Sequence, residues 1–215
     1  MDNQLYFAIK KIIDISVAIT LLIVFFPICI ITAILIKMES PGPVFADTPP
    51  RVGKNGHLFN IYKFRSMIPN AHQLIRTDPK FKKLYEEYKK NSYKLLEDPR
   101  VTGVGKFIRK YSIDEIPQII NIFKGEMSLI GPRAYYADEL EEQQKKHPGT
   151  KKHVAEVLKI KPGITGLWQT SGRSQINFDK RIEMDAFYAK KRSLGLDIKI
   201  LAKTPWAMIS GRGAV

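Results

Sequence analysis

The sequence predicts an α/β protein that is mostly helical, carries a small β-hairpin element and begins with an N-terminal membrane helix. Three observations support this class. Residues 12–37 are almost wholly apolar, a glycine-punctuated stretch typical of a hairpin follows at 51–67, and apolar residues recur at helical spacing further along the chain. We therefore expect a membrane helix within residues 1–40 and one globular domain over residues 41–215.

The composition favours an anionic partner. Lys and Arg number 35 against 21 Asp and Glu, which gives a net charge of +14 in 215 residues. Nucleic acid, an acidic membrane face and phosphorylated substrates all suit such a charge. The one cysteine, Cys29, lies in the apolar run, which excludes a disulfide framework and fits a reducing compartment. The four histidines lack zinc-like spacing with carboxylates.

The apolar run is too long for a cleaved signal peptide. Signal peptides have an apolar region of about 7–15 residues and a small-residue cleavage site. Here the run ends in "KMESPGPVF", which contains no such site. A run of this length is enough to cross a hydrocarbon core about 30 Å thick. The segment is therefore expected to stay in the mature protein as a membrane helix.

The course of this helix is open from the residues alone. Lys10 and Lys11 flank one end and Lys37 the other, whereas a true span usually has an asymmetric basic flank. Pro27 lies near the middle, where its missing N–H kinks or breaks a helix. A kinked spanning helix fits these residues. So does a re-entrant helix that dips into the membrane and returns, with both ends on the cytoplasmic side.

The rest of the chain reads as a hairpin followed by helices. Gly53 and Asn55-Gly56 supply the turn, and the chain from Leu58 to Phe64 is extended. A charged helical stretch, 69–97, is interrupted at "TDP" and carries an aromatic stripe. That stripe (Phe81, Leu84, Tyr85 and Tyr88) faces either a core or a membrane interface. Further helices are predicted over 137–158 (a pair broken at "HPGT"), 179–191 and 196–209, the last being amphipathic with an interfacial Trp206.

The stretch "YSIDEIPQIIN" holds an acidic pair that has two interpretations. Ser112 and Glu115 match a capping box before an apolar helix that Gly125 ends. Pro117 favours a helix start at Asp114 instead, because a proline early in the first turn misses no hydrogen bond. The backbone N–H groups there attract anions. Asp114 would then be an ionised carboxylate able to attack phosphorus or bind a hard cation.

Basic residues in short turn-rich segments surround the acidic pair. Guanidinium groups match phosphate oxygens in a bidentate way, so their concentration favours a phosphate ligand over isolated surface charges. No Walker A loop, G-x-G-x-x-G turn, G-x-S-x-G elbow or RNA-binding aromatic pattern occurs. The basic residues are Arg51, Lys63, Arg65, Arg100, Arg109 and Arg133.

With these residues in place, the chain resembles the bacterial sugar transferases, that is, the monotopic polyprenol-phosphate phosphoglycosyl transferases. The matching blocks run over nearly the whole chain: "KKIIDI", "IKMESPGPVF", "RVGKNGHLFNIYKFRSM", "DPRVTGVGKFIRKYSIDEIPQIINIFKGEMSLIGPR", "KPGITGLWQTSGRS" and "DIKILAKT". One departure is that "ADTPPRVG" stands where the family has a glutamine after "PVF", which puts the loop before Arg51 in doubt.

The resemblance implies transfer of a sugar phosphate from a UDP-sugar to polyprenol (undecaprenyl) phosphate, with release of UMP. Asp114 would attack the β-phosphorus and form a covalent aspartyl intermediate in a ping-pong scheme. Asp114 and Glu115 would hold Mg²⁺. Pro27 matches the family's helix breaker, which implies a re-entrant helix at the cytoplasmic face of the bacterial inner membrane.

Further residues are expected to bind the substrates. The resemblance gives Arg109 and Arg133 to the phosphate oxygens. Lys63 and Arg65 flank the pair and are expected to join them. Gln169 and Arg173 are expected to contact the donor.

Two other functions are kept as alternatives. A membrane-anchored glycosyltransferase would pass only the sugar and release UDP. A basic adaptor would bind anionic lipid or nucleic acid independently of Asp114; the turn motifs around the acidic pair argue against it, so no nucleic-acid partner is predicted. The sequence does not name the sugar, the glycan pathway or the oligomeric state, a homo-oligomer included.

Overall fold

A computed structural model describes residues 3–91, 93, 95, 97–172 and 176–210. Its secondary structure consists mainly of helices with a few short strands, which confirms the predicted mostly helical class with a small hairpin. The helices are α1 (Asn3–Glu39), α2 (Ala71–Thr77), α3 (Lys82–Lys90), α4 (Gly103–Lys110), α5 (Ile119–Phe123), α6 (Ala137–Lys146), α7 (Lys151–Val157), α8 (Phe178–Lys191) and α9 (Leu194–Ile209). The strands are β1 (Arg51–Val52), β2 (Leu58–Phe59), β3 (Ser128–Ile130), β4 (Tyr135–Tyr136) and β5 (Gly163–Thr165).

Two small sheets organise the globular part. The antiparallel sheet has the order β2-β1-β4, and in it Arg51 lies opposite both Phe59 and Tyr136. The turn between β1 and β2 uses Asn55 and Gly56 at positive φ (57° and 80°), which confirms the predicted hairpin. The second sheet pairs β3 and β5 in parallel.

Helix α1 is 37 residues long, or roughly 55 Å at 1.5 Å per residue. Among the described residues, it alone is long and apolar enough to cross a membrane by length and composition. The predicted break at Pro27 does not end the helix, because α1 continues through this residue to Glu39. In the same helix, the Thr20 hydroxyl donates a hydrogen bond to the carbonyl of Ser16, one turn earlier, at 3.0 Å.

Both ends of α1 pack against the globular part. Near the N-terminal end, Ala18 is fully buried in the main core, beside residues of α5, β3 and α9. Near the C-terminal end, Ile36 packs with Phe64 and Ile108. Between and around these contacts α1 exposes large aliphatic and aromatic side chains, such as Ile23 and Phe26. The helix is therefore attached at two places to one body.

Buried polar groups fasten the N-terminal end. Lys10 Nζ donates to Asp197 Oδ2 at 3.1 Å, and Tyr188 donates to the other oxygen of this carboxylate at 2.6 Å. Asp14 accepts a hydrogen bond from the Ser128 hydroxyl at 2.6 Å. Buried charges are stable only when they are paired and hydrogen-bonded. These contacts explain why an otherwise apolar helix carries a lysine and an aspartate one turn apart.

A second hydrophobic cluster holds the C-terminal helices against β4. Tyr135 of β4 packs there beside fully buried Phe178 and Ile182 of α8. Leu140 of α6 and Val154 of α7 complete the contact. The predicted helix pair over 137–158 and the predicted helix from 179 are confirmed by α6, α7 and α8. This packing fixes the loop between β3 and β4.

Candidate active site

The acidic pair lies in a 3₁₀ helix, Ile113–Gln118, that leads directly into α5. The helix start that follows from Ser112 as the N-cap is confirmed, because the 3₁₀ helix begins at Ile113, and the alternative start at Asp114 is wrong. Ser112 precedes the helix in the left-handed conformation (φ 57°), and its side chain makes no capping hydrogen bond. Left-handed backbone points the hydroxyl away from the first turn, so the capping box does not form. The placement of Asp114 and Glu115 in a first helical turn is confirmed.

Pro117 explains how Asp114 is fixed. In a 3₁₀ helix the N–H of residue 117 would bond to the carbonyl of residue 114, and proline has no N–H. The freed Asp114 carbonyl accepts instead from the backbone N–H of Phe64 at 2.9 Å. Phe64 lies between Lys63 and Arg65 on extended chain. The proline therefore ties the acidic pair to a segment that carries two predicted phosphate-binding residues.

Asp114 is a buried carboxylate whose pKa is raised. Burial raises its pKa to about 6, the charge of Lys63 lowers it, Glu115 raises it and Arg109 lowers it. Desolvation disfavours the ionised form, while the cations favour it. Asp114 is thus poised to change protonation state slightly below neutral pH. A carboxylate that is buried but ionisable is a stronger nucleophile than one solvated by water.

Glu115 forms an ion pair with Lys63. Lys63 Nζ lies 2.7 Å from Glu115 Oε1, and the Glu115 side chain is 36% exposed. The exposed position of Glu115 leaves its carboxylate open to the same cavity as Asp114. The Lys63–Glu115 ion pair therefore places one carboxylate and one cation next to the buried Asp114 carboxylate.

A cavity of about 290 Å³ lies in front of the acidic pair. The described residues predicted to act here all line it, which brings together positions from four separate segments of sequence. Arg173 lies outside the described residues. The predicted residues on the cavity wall are Lys63, Arg65, Arg109, Asp114, Glu115, Arg133 and Gln169.

Arg109 reaches the cavity from the last turn of α4. Thr102 caps this helix by accepting from the Gly105 N–H at 3.0 Å. A Cβ on Gly105 would lie 1.9 Å from the carbonyl oxygen of Ser66, so only glycine allows this close approach. The "GVGK" glycine thus serves helix packing, and a phosphate turn is not needed to explain it. Glu39 of α1 also accepts from the Val104 N–H at 3.0 Å.

Arg65 lines the cavity, but its guanidinium also ends α1. It donates to the carbonyls of Ser40 (2.9 Å) and Pro41, which follow the helix. Gly42 has a φ of 114°, and a Cβ there would lie 2.9 Å from the Arg65 guanidinium. The structure therefore gives Arg65 a structural task in addition to its predicted one.

Arg100 also has a structural task. Its guanidinium forms an ion pair with Asp98 at 2.6 Å and donates to the Ala71 carbonyl at 2.8 Å. Both side chains are buried. This arginine fixes the chain before α4, as a paired buried cation commonly does.

Arg133 stands on the loop between β3 and β4. Its backbone N–H donates to Asp185 Oδ2 at 3.1 Å, and Tyr135 donates to the same oxygen at 2.9 Å. The guanidinium carbon lies 5.4 Å from the centre of the Trp168 ring, within cation–π range. Gln169, the next residue, has a buried Oε1 with no hydrogen-bond partner in the described chain. These contacts orient Arg133 and Gln169 along one wall.

The cavity wall also includes residues that were not predicted as site residues, among them Arg51, His72 and Tyr136. Arg51 was noted only as a flanking cation, His72 was weighed only as a zinc ligand, and Tyr136 was not considered. Arg51 lies opposite Tyr136 across two strands, a pairing that local sequence patterns do not reveal. The one available signal was the position of Arg51 at the start of the predicted hairpin.

The acidic pair fits a Mg²⁺ ion that is bound jointly by protein carboxylates and substrate phosphates. No group of three or more histidine, cysteine, aspartate or glutamate side chains that could hold a metal occurs within the described ranges. Mg²⁺ commonly binds through one or two carboxylates together with substrate phosphates and water. Asp114 and Glu115 supply two adjacent carboxylates on a cavity rich in cations, which fits this mode.

The chain belongs to the bacterial sugar transferase family, whose family model matches residues 5–211. The match covers the membrane helix, the acidic pair and the cavity wall alike. The resemblance seen in the sequence is therefore confirmed.

Named relatives are similar over almost the whole chain. An undecaprenyl-phosphate galactose phosphotransferase of Salmonella typhimurium is 39% identical over 96% of this chain and 41% of its own length. A UDP-N-acetylgalactosamine-undecaprenyl-phosphate N-acetylgalactosaminephosphotransferase of Aeromonas hydrophila is 37% identical over 100% of this chain and 47% of its own. The exopolysaccharide production protein ExoY of Sinorhizobium fredii is 38% identical, over 95% and 87%. The chain thus spans less than half of the first two relatives and most of the third.

Proposed function

We propose that this protein transfers a sugar phosphate from a UDP-sugar to undecaprenyl phosphate and releases UMP. The observation that carries the proposal is a buried carboxylate, Asp114, beside Glu115 in a cavity lined by Lys63, Arg109 and Arg133. Two of the relatives above are named as undecaprenyl-phosphate phosphotransferases, one for galactose and one for N-acetylgalactosamine. A cationic cavity suits reactions in which several negative charges must approach one another.

The first half-reaction is a displacement at the β-phosphorus of the donor. An Asp114 carboxylate oxygen forms a bond to phosphorus, and the bond between that phosphorus and the bridging oxygen breaks. UMP leaves with the bridging oxygen and its electron pair. The sugar phosphate stays on Asp114 as an acyl phosphate, a covalent intermediate of the kind aspartyl nucleophiles form.

In the second half-reaction a phosphate oxygen of the lipid acceptor attacks the same phosphorus. The bond to Asp114 breaks, the carboxylate is restored and polyprenol-diphosphate sugar is the product. Lys63 holds the Glu115 carboxylate at 2.7 Å and lowers the pKa of Asp114, so Asp114 is a better leaving group and a more fully ionised nucleophile. Mg²⁺, held by Asp114 and Glu115, would neutralise the donor diphosphate.

The attachment of α1 supports a re-entrant course and a cytoplasmic-face location in the bacterial inner membrane. Both ends of α1 contact one globular body, through Ala18 and through Ile36. A folded body can lie on one side of a bilayer only, so both helix ends belong on that side. A bend near Pro27 would satisfy this arrangement, since proline weakens the helix there. The water-soluble donor and the lipid acceptor would then meet at the membrane surface.

The decisive experiment is intact-mass analysis of the purified protein after incubation with a UDP-sugar and Mg²⁺. The unaltered protein should gain the mass of one sugar phosphate, and Asp114→Asn should gain none and lose turnover. Asp179→Asn, an exposed aspartate on α8, is the matched control and should behave as the unaltered protein. An adduct on Asp114→Asn would contradict the nucleophile, and release of UDP in place of UMP would favour transfer of the sugar alone.

A further inference from the structure

The cavity extends beyond the acidic pair to a second wall that has no role in the chemistry above. We call it the distal wall and define it as Arg51 (β1), His72 (α2), Tyr88 (α3) and Tyr136 (β4). It combines one buried cation with three aromatic rings. Such a surface suits a ligand that carries both negative charge and a flat ring.

Arg51 is the cation of the distal wall. It is 6% exposed, its guanidinium carbon lies 3.4 Å from the centre of the Tyr136 ring, and it donates to the Ala134 carbonyl at 3.0 Å. Its Nε is buried and has no hydrogen-bond partner among the described residues. Within the described residues, no carboxylate lies within ion-pair distance of Arg51. Buried cations are normally paired, so Arg51 is suited to an anion from outside the chain.

Aromatic groups complete the distal wall. The His72 ring lies 6.2 Å from the Tyr136 ring at a tilt of 60°. Burial, and then the charges of nearby arginines including Arg51, lower the pKa of His72 to about 3. His72 is therefore neutral at physiological pH and offers an aromatic face with hydrogen-bonding nitrogens.

The distal wall and the acidic pair line the same cavity. Arg51 faces Phe59 across the hairpin, and the extended chain from Phe59 to Lys63 covers roughly 13 Å at 3.3 Å per residue. The pKa of Arg133 is affected both by Tyr136 of the distal wall and by Glu115 of the acidic pair. Burial lowers its pKa, while Glu139, the Tyr135 and Tyr136 phenols and finally Glu115 raise it, with a net rise.

We infer that the distal wall binds the nucleoside monophosphate part of the donor, with its phosphate on Arg51 and its base against His72, Tyr88 and Tyr136. This assignment rests on the proposed function. It places Arg133 beside the diphosphate of the donor. The phosphorus whose bond breaks then lies on the Asp114 side. It also orients the donor, because the sugar phosphate lies at the acidic pair and the leaving nucleotide points toward α2 and α3.

The lipid acceptor is a poorer occupant of the distal wall. The apolar contacts of α1 reach the cavity through Phe64, which packs against Ile36 where the Arg65 guanidinium holds the end of the helix. An isoprenoid chain would approach along that apolar side. The phosphate of the acceptor could still be tested against the distal wall, because a phosphate group is common to both substrates.

Calorimetric titration with UMP, in the presence of Mg²⁺, tests the assignment. Arg51→Met should weaken UMP binding roughly 10- to 100-fold, the loss expected for a charge-assisted hydrogen bond in a buried site. The matched control is Arg192→Met, which removes an arginine that donates to the Ala189 carbonyl outside the cavity lining. It should bind UMP as the unaltered protein does. Undetectable UMP binding by the unaltered protein, or unchanged affinity in Arg51→Met, would overturn the inference.

Two further arms separate the ligand parts. Inorganic phosphate should compete with UMP only at much higher concentration than uridine monophosphate analogues, since it lacks the base. Equal competition by phosphate alone would overturn the base contact. A polyprenol phosphate in detergent should not displace UMP; displacement that Arg51→Met abolishes would assign the wall to the acceptor and overturn the inference.

Photocrosslinking with 5-iodo-UMP keeps the test open if Arg51→Met fails to fold, because it uses the unaltered protein. Crosslinked peptides should contain His72, Tyr88 or Tyr136. Crosslinks confined to the segment around Phe64 or Trp168 would overturn the inference. Failure of sugar-phosphate transfer together with distal-wall crosslinks would refute the proposed function alone, whereas transfer with crosslinks elsewhere would refute the inference alone.

Discussion

At Asp114, burial and nearby charge act in opposite directions. Burial raises the pKa to about 6, and Lys63 is the first cation that opposes this rise. In the proposed reaction the carboxylate must be ionised to attack phosphorus, yet must be poorly solvated to attack quickly. The Lys63–Glu115 ion pair at 2.7 Å sets this balance, because it adds a cation near Asp114 and offsets the second carboxylate.

Lys63→Met should slow formation of the sugar-phosphate adduct, and more at acidic than at alkaline pH. Loss of the cation raises the pKa of Asp114, so a smaller fraction of the carboxylate is ionised at pH values near or below that pKa. We expect a loss on the order of tenfold at pH 6 and a smaller one at pH 8. Single-turnover mass analysis at both pH values measures it. Lys180→Met, which removes an exposed partner of Glu183, is the control. Equal losses at both pH values would contradict this account.

Among the elements, the 3₁₀ helix shows how far the sequence could predict the site. The spacing of Ile116, Ile119 and Phe123 and the stop at Gly125 predicted a helix here, and Gly125 does adopt a φ of 75°. The sequence could not decide between the two predicted starts, because the donor that replaces the missing Pro117 N–H is the N–H of Phe64, fifty positions earlier in the chain. Pro117 marked the anomaly, but only tertiary structure shows which donor replaces the missing one.

Helix α8 and strand β4 illustrate a second limit. Asp185 of α8 accepts hydrogen bonds from the Arg133 N–H and the Tyr135 hydroxyl through one carboxylate oxygen, and no sequence spacing links these residues. The sequence predicted a helix over 179–191 but not that a carboxylate lies on its buried face. Buried polar contacts of this kind depend on the partner element.

Asp185→Asn should remove a pH dependence of stability. Burial raises the pKa of Asp185 from 3.8 to about 7, against its hydrogen bonds and the nearby arginines. The folded state therefore keeps a proton that the unfolded state releases. This contribution is full below pH 3.8 and is lost as the pH rises through 7, at a slope on the order of 1 kcal/mol per pH unit.

Denaturant unfolding in detergent between pH 4 and 7 measures this effect. The free energy of unfolding should fall less steeply with pH in Asp185→Asn than in the unaltered protein. Asparagine retains an oxygen that accepts from the Arg133 N–H, so the fold should persist. Asp179→Asn on the same helix is exposed and should keep the original slope. The same slope in Asp185→Asn would rule out Asp185 as its source.

Over the whole molecule, the two attachments of α1 determine the architecture. The sequence predicted the membrane helix, the hairpin and most helices, because each has a local apolar or glycine pattern. It could not predict that Lys10 and Asp14 point into the protein, since the same residues also fit a basic flank at a membrane surface. Asp197, the ion-pair partner of Lys10, lies near the other end of the chain.

Asp197→Leu should destabilise the protein by about 3 kcal/mol or more, because it leaves Lys10 buried with only the longer 3.8 Å contact to Asp14. Adding Lys10→Met should recover much of this loss, since an apolar pair replaces a broken ionic one. Thermal unfolding of both variants provides the measurement. Glu141→Gln, which breaks an exposed ion pair with Lys145, should cost less than about 1 kcal/mol. No recovery in the double variant would contradict the ion-pair explanation.

Two consecutive residues join the long apolar helix α1 to Asp114, the proposed nucleophile. The Phe64 N–H holds the carbonyl of Asp114, and the Arg65 guanidinium holds the carbonyls at the end of α1. They form a rigid spacer, so any tilt or vertical shift of the helix end moves the carboxylate with it. In bilayers of different thickness, the height of Asp114 would therefore follow the helix and not the lipid headgroups. A lipid acceptor would meet its phosphorus target at a level that the protein itself sets.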